Sequence, residues 1–446
     1  MRKPFRPNAL HVLTVGLALI ILCGALLLMM PFATKEGRGL GFLDAVFTAT
    51  SASCVTGLVV ADTYTTFTLF GQIVILIMIQ IGGLGFMMVA SLVSLLAGRR
   101  IGLYERSLLM ESIGALNVGG IIRLCRRALI GTAIFEGIGA ALLSLWFCPR
   151  FGMGQGLWMS VFHSVSAFCN AGFDLMGIRA PGTSLMLAAD SVLVNIVVML
   201  LVLIGGLGFF VWEDLLEKRL KWRRWTLHTK IIMSVTVLLT VGGTAAFFLM
   251  ERNAAFAGLP LKQQLLRAAF QSVTPRTAGF NTVDLSTLSD GGSLLTLVFM
   301  FIGASPGSTG GGLKMTTVAV LVLNVISYVQ RRSTVDIFQR RLDEPTIQKA
   351  ASSASLYLLV CVAGCMVLCV QGVSLKSALF ESFSALGTVG LSLSVTPGLP
   401  VFSKITVAVM MFAGRLGSLS VAMAVSKGAS LRQKHTRNIT ESIMIG

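Results

Sequence analysis

Four long stretches of this chain carry almost no charge: residues 10–30, 67–98, 191–212 and 401–426, the last interrupted only by Lys404 and Arg415. Each is long enough to cross the hydrocarbon layer of a bilayer, which takes about 20 apolar residues. No water is present there, so every backbone N–H and C=O must be satisfied within the chain, and apolar runs of this length do so as helices. Composition agrees. The chain is 54% hydrophobic and 12% charged, where a soluble domain carries about 25% charged residues, and its mean hydropathy is +0.83. The first stretch is too long for a cleaved leader, lacks a small-residue cleavage site and is followed by further spans, so it reads as a retained helix.

A net charge of +17 would suit a nucleic-acid partner, but its placement excludes that class. With the N-terminus taken as cytoplasmic, 24 of the 36 Lys and Arg fall in the N-terminal arm and in 98–127, 213–230, 331–349 and 427–446. This is the positive-inside bias of a multi-pass plasma-membrane protein. Both termini are then expected in the cytoplasm, with 427–446 as a tail. The eight cysteines show no metal-ligand spacing; Cys361, Cys365 and Cys369 recur every four residues on an apolar run and pack as small hydrophobes. The four histidines are scattered. No acids, histidines and nucleophile converge at one depth, so an enzyme is not expected. GGLGF lies inside an apolar helix rather than after a strand, so it is no dinucleotide fingerprint.

Four segments repeat one pattern: FLDAVFTATSASCVTGL at 42–58, LWMSVFHSVSAFCNAGF at 157–173, QLLRAAFQSVTPRTAGF at 264–280 and LKSALFESFSALGTVGL at 375–391. Each is a short amphipathic run ending in Gly and then Phe or Leu. The glycines are Gly57, Gly172, Gly279 and Gly390, spaced by 115, 107 and 111 residues. Phe47, Phe162 and Phe380 precede their glycine by ten positions and Phe270 by nine, so the third unit is one residue shorter. Apolar spans precede the runs at 10–30, 128–147, 231–250 and 350–370, and follow them at 67–97, 190–212, 293–327 and 401–426. The expected fold is an all-α polytopic membrane protein of eight spans. Its four repeats cover roughly 8–105, 123–225, 226–330 and 346–430, each an outer helix, a half-length re-entrant helix, a glycine turn and an inner helix. The chain then forms a single ion-pore domain, because re-entrant backbone survives at depth only against protein or a water-filled cavity.

Potassium filters replace the hydration shell of the ion with rings of backbone carbonyls. Inward-pointing carbonyls demand φ values that glycine adopts most cheaply. The candidate filter strands are Cys54, Val55, Thr56 and Gly57; Cys169, Asn170, Ala171 and Gly172; Arg276, Thr277, Ala278 and Gly279; and Gly387, Thr388, Val389 and Gly390. The half-helices direct their negative dipole ends toward them. Asp62, Asp174 and Asp284 follow the filters and are candidates for concentrating cations at an outer mouth. Glu136 stands alone in an apolar span, with a structural partner expected. The inner spans carry IQIGGLGF at 79–86, LIGGLGF at 203–209, FIGASPG at 301–307 and FAGRLGS at 412–418. The third inner span is 35 residues long and is broken at its centre. Its gate candidates are Gly303, Ala304, Ser305, Pro306, Gly307, Ser308, Thr309, Gly310, Gly311, Gly312 and Lys314. Arg415 lies at the same level on the fourth inner span, 25 residues after its glycine, as Ala304 does after Gly279.

TPRTAGFN at 274–281, GASPGSTGGGLKM at 303–315 and GRLGS at 414–418 resemble the signatures of the Trk/Ktr/HKT superfamily of potassium transporters, and the likeness covers nearly the whole chain. The length suits a Ktr-type membrane subunit, KtrB, without two further N-terminal spans. The resemblance implies potassium uptake, with sodium as a candidate activator, by a homodimer with one pore per protomer. It also implies a cytosolic ring of the KtrA or RCK kind that carries the regulatory nucleotide. Within the superfamily, serine at the first-repeat glycine goes with sodium transport, so Gly57 implies potassium. Cys54, Cys169 and Pro306 depart from the common pattern. An alternating-access cation symporter is the other reading, but four like-oriented repeats suit a central pore better than inverted ones.

Overall fold

The computed structural model describes residues 9–96, 102–113, 120–219 and 221–417. Among these the chain is helical apart from a small hairpin pairing Asp336–Ile337 with Arg340–Arg341 and an isolated bridge between Thr34 and Phe67. Four helices are long and apolar enough to cross a membrane: Ala9–Leu28, Ile121–Phe151, Leu227–Glu251 and Glu344–Val370. The last three begin four to seven residues before their expected starts at 128, 231 and 350. Polar residues such as Arg123, Arg126 and Arg127 occupy those extra turns, where long basic side chains carry their charge away from the apolar stem.

Each long helix packs against a shorter one that follows it: Phe42–Ser53, Met153–Phe168, Leu261–Val273 and Leu375–Gly387. These have 12, 16, 13 and 13 residues, too short at about 1.5 Å per residue to cross a hydrocarbon core of about 30 Å. Their C-terminal halves are buried.

The inner spans differ from expectation. Leu69–Leu84 stops at Gly85 and resumes as Phe86–Leu96; Val192–Leu207 stops at Gly208 and resumes as Phe209–Lys218 after a 91° bend. Only the third, Asp290–Phe301 and Met315–Val329, was expected to break. The fourth, Val401–Leu416, ends at Gly417, and the remainder of the expected 401–426 span lies outside the described residues, as does the tail at 427–446. Gly85, Gly208 and Gly417 have φ of +84°, +92° and +87°, a conformation that cannot continue a right-handed helix. The small-residue motifs therefore mark breaks as well as close packing.

Polar ties join each inner helix to the next short helix. Trp158 Nε1 donates to Gln72 Oε1 at 2.7 Å, Arg267 pairs with Asp190 at 3.1 Å, Lys376 with Asp290 at 3.1 Å, and Lys404 with Asp44 at 2.7 Å. The last tie returns to the first short helix, so the four helix groups close into a ring. Of these only the Lys376–Asp290 pair is exposed on both sides, and such a pair adds at most about 1 kcal/mol.

Buried Glu251 ends the third long helix and anchors the inner helix beside it. It accepts from the Ser289 amide at 3.1 Å, the Ser289 hydroxyl at 2.5 Å and the Ala255 amide at 3.3 Å. Glu251→Ala leaves these half-buried donors without their acceptor, a loss of about 1–3 kcal/mol each at most. Thermal unfolding in detergent is expected to show a clearly lowered midpoint for this variant, and an unchanged midpoint would refute the anchoring role.

Candidate functional site

The chain reverses its helical hand at the end of each short helix. Val55 and Gly57 have positive φ, as do Asn170 and Gly172, Thr277 and Gly279, and Thr388 and Gly390, while Thr56, Ala171, Ala278 and Val389 between them do not. The same alternation thus occurs in all four turns. A strand that alternates hands turns successive carbonyls to one side, the arrangement that carbonyl-lined cation sites use. Val55, Thr277 and Thr388 are β-branched, and a β-branched residue at positive φ is a true outlier, costing roughly 1–3 kcal/mol. Three such costs at equivalent positions are maintained by the surrounding packing.

The glycines show how the turns meet. A Cβ on Gly57 would lie 2.6 Å from the Ala171 carbonyl oxygen, one on Gly172 2.8 Å from Gly279 Cα, and one on Gly279 2.8 Å from the Val389 carbonyl oxygen. A Cβ on Gly390 would collide with the Thr56 carbonyl and lie 3.0 Å from Gly57 Cα. First meets second, second meets third, third meets fourth and fourth meets first. Of the sixteen residues expected to act together, the four glycines and the residues just before them meet here.

Hydroxyls at the ends of the short helices hold the turns from behind. Ser51 Oγ accepts from the Gly57 amide at 3.1 Å, and Ser384 Oγ accepts from the Gly390 amide at 3.0 Å. Ser166 donates to the Phe173 carbonyl at 2.7 Å, and Thr274 donates to the Phe280 carbonyl at 2.6 Å. These four were not singled out from sequence, although a Ser or Thr five or six positions before each glycine was the available signal.

Cys54, Cys169, Arg276 and Gly387 open the four turns. The Cys169 thiol meets Gln80 and Glu136, and Arg276 Nη2 donates to Thr240 Oγ1 at 2.8 Å on the third long helix. The Cys169 and Arg276 side chains thus face the surrounding helices. Glu136 is therefore turned toward the first inner helix, where it accepts from Gln80 Nε2 at 3.2 Å.

Residues 303–314 form an irregular loop against one end of the four turns. Its base is closed by Gly303 N–H donating to Leu313 O at 2.9 Å and Met315 N–H donating to Ala304 O at 3.1 Å. The loop also pairs with the break in the second inner helix. Ser305 N–H donates to Gly206 O at 3.1 Å, Thr309 N–H to Gly205 O at 3.3 Å, and Phe209 N–H to Gly307 O at 2.8 Å. Two interrupted helices thus satisfy each other's backbone at depth, as a dry environment requires. A Cβ on Gly310 or Gly311 would strike the Thr277 or Thr388 hydroxyl, and one on Gly312 would lie 2.7 Å from the Gly387 carbonyl oxygen. Pro306 O lies against Gly208, the Ser308 hydroxyl donates to Ser305 O at 2.6 Å, and Lys314 Nζ donates to Gly310 O at 2.9 Å. Arg415 reaches across from the fourth inner helix and donates to the carbonyls of Thr309, Gly82 and Gly83. Beyond the loop lies a cavity of about 420 Å³ bordered by Leu17, Phe86, Lys314, Lys349 and Arg415.

The three aspartates serve local turns. Asp62 accepts from the Tyr64 and Thr65 amides at 3.0 and 2.8 Å and from the Gly182 amide at 3.3 Å, joining the first and second outer loops. Asp174 accepts from the Met176 amide at 2.9 Å, and Asp284 from the Ser286 amide at 2.9 Å. Burial, opposed by the Met176 bond and reinforced by the nearby Asp62 charge, raises the Asp174 carboxyl to about 6. Among the described residues no cluster of His, Cys, Asp or Glu could hold a metal ion.

The family model described as TrkH, cation transport protein, matches residues 23–433. The chain belongs to this family. It is a multi-pass membrane protein of a transport family and not an enzyme. It is 38% identical to the potassium/sodium uptake protein NtpJ of Enterococcus hirae, over 100% of this chain and 98% of that one. It is 39% identical to the Ktr system potassium uptake protein B of Bacillus subtilis, over 94% and 93% of the two chains. The crystal structure of the potassium transporter TrkH from Vibrio parahaemolyticus superposes with a TM-score of 0.76 at 18% identity, covering 96% of this chain and 86% of that one. That likeness establishes a shared, mostly helical fold.

Gly172→Ala is expected to leave the helices folded but separate the second and third turns, because its methyl meets Gly279 Cα at 2.8 Å and Ala278 O at 3.0 Å. Rubidium uptake into proteoliposomes should fall at least about tenfold, the factor that corresponds to 1.4 kcal/mol, at unchanged reconstitution. Parent-like uptake would remove the four-turn ring from the ion path.

Proposed function

We propose that this chain is the channel-like translocating subunit of a Ktr-type system that takes up potassium across the plasma membrane. The observation that carries this reading is the closed contact of four glycine turns with one repeated alternation of backbone hand. The near-full-length relatives, one named a potassium/sodium uptake protein and the other a potassium uptake protein, support potassium as the ion. The four helix groups are then pseudo-fourfold repeats around one pore, counted as eight spans with the inner ones interrupted and with both termini in the cytoplasm. Potassium is coordinated by carbonyls of the four turns, and the Asp62, Asp174 and Asp284 loops form the outer mouth. The protein works as a homodimer. Its cytoplasmic face, with basic residues at 213–230 and 331–349, receives a cytosolic ring of the KtrA or RCK type that carries the regulatory nucleotide, and sodium acts as an activator.

Gly57→Ser tests the filter. Its side chain would press on the Ala171 carbonyl, 2.6 Å from the Cβ position, and turn an oxygen away from the ion. In a potassium-uptake-deficient bacterial strain the preference for potassium over sodium is expected to drop by roughly an order of magnitude, a loss near 1.4 kcal/mol. An unchanged preference at equal expression would overturn the assignment.

The loop at 303–314 and Arg415 form the gate in this reading. Arginine stays charged and stands as a barrier to a cation, and its bonds to Thr309, Gly82 and Gly83 pin the loop across the path. Hydrogen bonds from a charged donor contribute about 1.5–3 kcal/mol. Arg415→Ala should therefore raise potassium flux about tenfold or more and weaken control by the partner ring. Flux equal to the parent at every partner concentration would locate the gate elsewhere.

A further inference from the structure

Glu136 sits on the second long helix, in a span otherwise free of acids, and the proposed mechanism leaves it without a role. An acid at membrane depth is expensive and is retained for a reason. Its two oxygens face different partners. Oε2 accepts from Gln80 Nε2 at 3.2 Å, and Oε1 faces the Cys169 thiol at 3.9 Å. The same thiol lies 3.5 Å from Gln80 Oε1. Three side chains from three elements thus close a triangle whose third corner, Cys169, is the first residue of the second glycine turn. The thiol has a single proton, so at any moment it serves Gln80 Oε1 or Glu136 Oε1, and the Gln80 amide is the fixed donor to the acid. Space around the triangle is tight, since a Cβ on Gly83 would lie 2.6 Å from the Cys169 sulfur. The backbone of the same helix is bound there too, with the Ser164 hydroxyl donating to the Glu136 carbonyl at 2.7 Å. Among the described residues, the first residues of the other three turns have different surroundings. Cys54 is buried among apolar neighbours, Arg276 bonds Thr240, and Gly387 has no side chain.

We infer that Glu136 is a positioning and affinity-setting residue for the ion path: through Gln80 and Cys169 it holds the inner end of the second turn and supplies one fixed negative charge behind it. This rests on the filter reading proposed above. In a water-poor interior a fixed charge acts over longer distances than in solvent. It favours a dehydrated cation at the adjacent carbonyls and makes the fourfold site electrostatically lopsided toward the second strand.

The test measures rubidium uptake by the reconstituted full chain as a function of external concentration, for the parent, Glu136→Gln, Glu136→Asp, Gln80→Leu and Gly57→Ser. Glu136→Gln keeps the size and one acceptor oxygen but removes the charge. Its half-saturation concentration is expected to rise about three- to tenfold with maximal flux and unfolding midpoint near the parent's, the range for one partly screened charge. Glu136→Asp should largely restore affinity, and Gln80→Leu should lower the potassium-to-sodium preference by freeing Cys169. A merely structural acid would instead lower the unfolding midpoint and maximal flux together and leave half-saturation unchanged. Parent-like half-saturation in Glu136→Gln, while Gly57→Ser does alter selectivity, would overturn the role of Glu136 and leave the filter standing. Unchanged selectivity in Gly57→Ser would overturn the filter reading itself, and the inference with it. Should Glu136→Gln fail to reconstitute, the Gln80→Leu selectivity decides the matter in the same way.

Discussion

Everything in this structure depends on four stretches of backbone approaching one another with no side chain between them. A single Cβ at Gly57, Gly172, Gly279 or Gly390 would come within 3 Å of the neighbouring turn. That distance is closer than packed atoms tolerate, so glycine is a steric requirement at the centre and not merely a source of flexibility. The rest of the fold maintains the approach. Short helices end at the turns, hydroxyls of Ser51, Ser166, Thr274 and Ser384 bind their backbones, and the side chains of Cys169 and Arg276 anchor outward to the long helices. Unfavourable φ at Val55, Thr277 and Thr388 persists only under this much constraint.

The interrupted inner helices follow from the same geometry. Gly82, Gly205 and Gly414 press on the carbonyls that end three of the short helices, at Ser53, Phe168 and Leu386. Bringing the inner helices this close leaves little room to continue straight, and each of the three breaks three residues later at Gly85, Gly208 and Gly417. Breaks free backbone groups in a region without water, and the loop at 303–314 answers that need for the second helix. Arg415 answers it for the first, donating to Gly82 and Gly83 with one end of its fork while the other holds Thr309. One guanidinium therefore joins the first inner helix, the fourth and the loop. This makes it a brace by geometry.

Polar groups inside the bundle are divided by task. Glu251 and Glu381 satisfy loops next to them: Glu381 accepts from Ser392 and, at 3.0 Å, from Thr396. The aspartates after the turns cap local structure in the same manner, and Asp62 adds a tie between loops. Glu136 differs because one of its partners begins a glycine turn.

Much was legible in the sequence because membrane depth restricts the chain so severely. Apolar length alone determined the helical class, the short amphipathic runs determined the half-length helices, and glycine at near-constant spacing determined where the backbone changes hand. The break at GASPGSTGGG was readable because proline and clustered glycine cannot continue a helix. Other features had no local signature. Gly85 and Gly208 lie in motifs that equally suit straight, closely packed helices, so their breaks were decided by what they touch. The direction of the Cys169 and Arg276 side chains, the pairing of Arg415 with carbonyls 106 and more than 330 residues away, and the triangle around Glu136 all depend on contacts between distant segments. The sequence determined the parts because each obeys a local rule of backbone and solvent. Only the tertiary structure decided their closure into a ring, since which carbonyl stands opposite which glycine is a relation between segments that no one segment encodes.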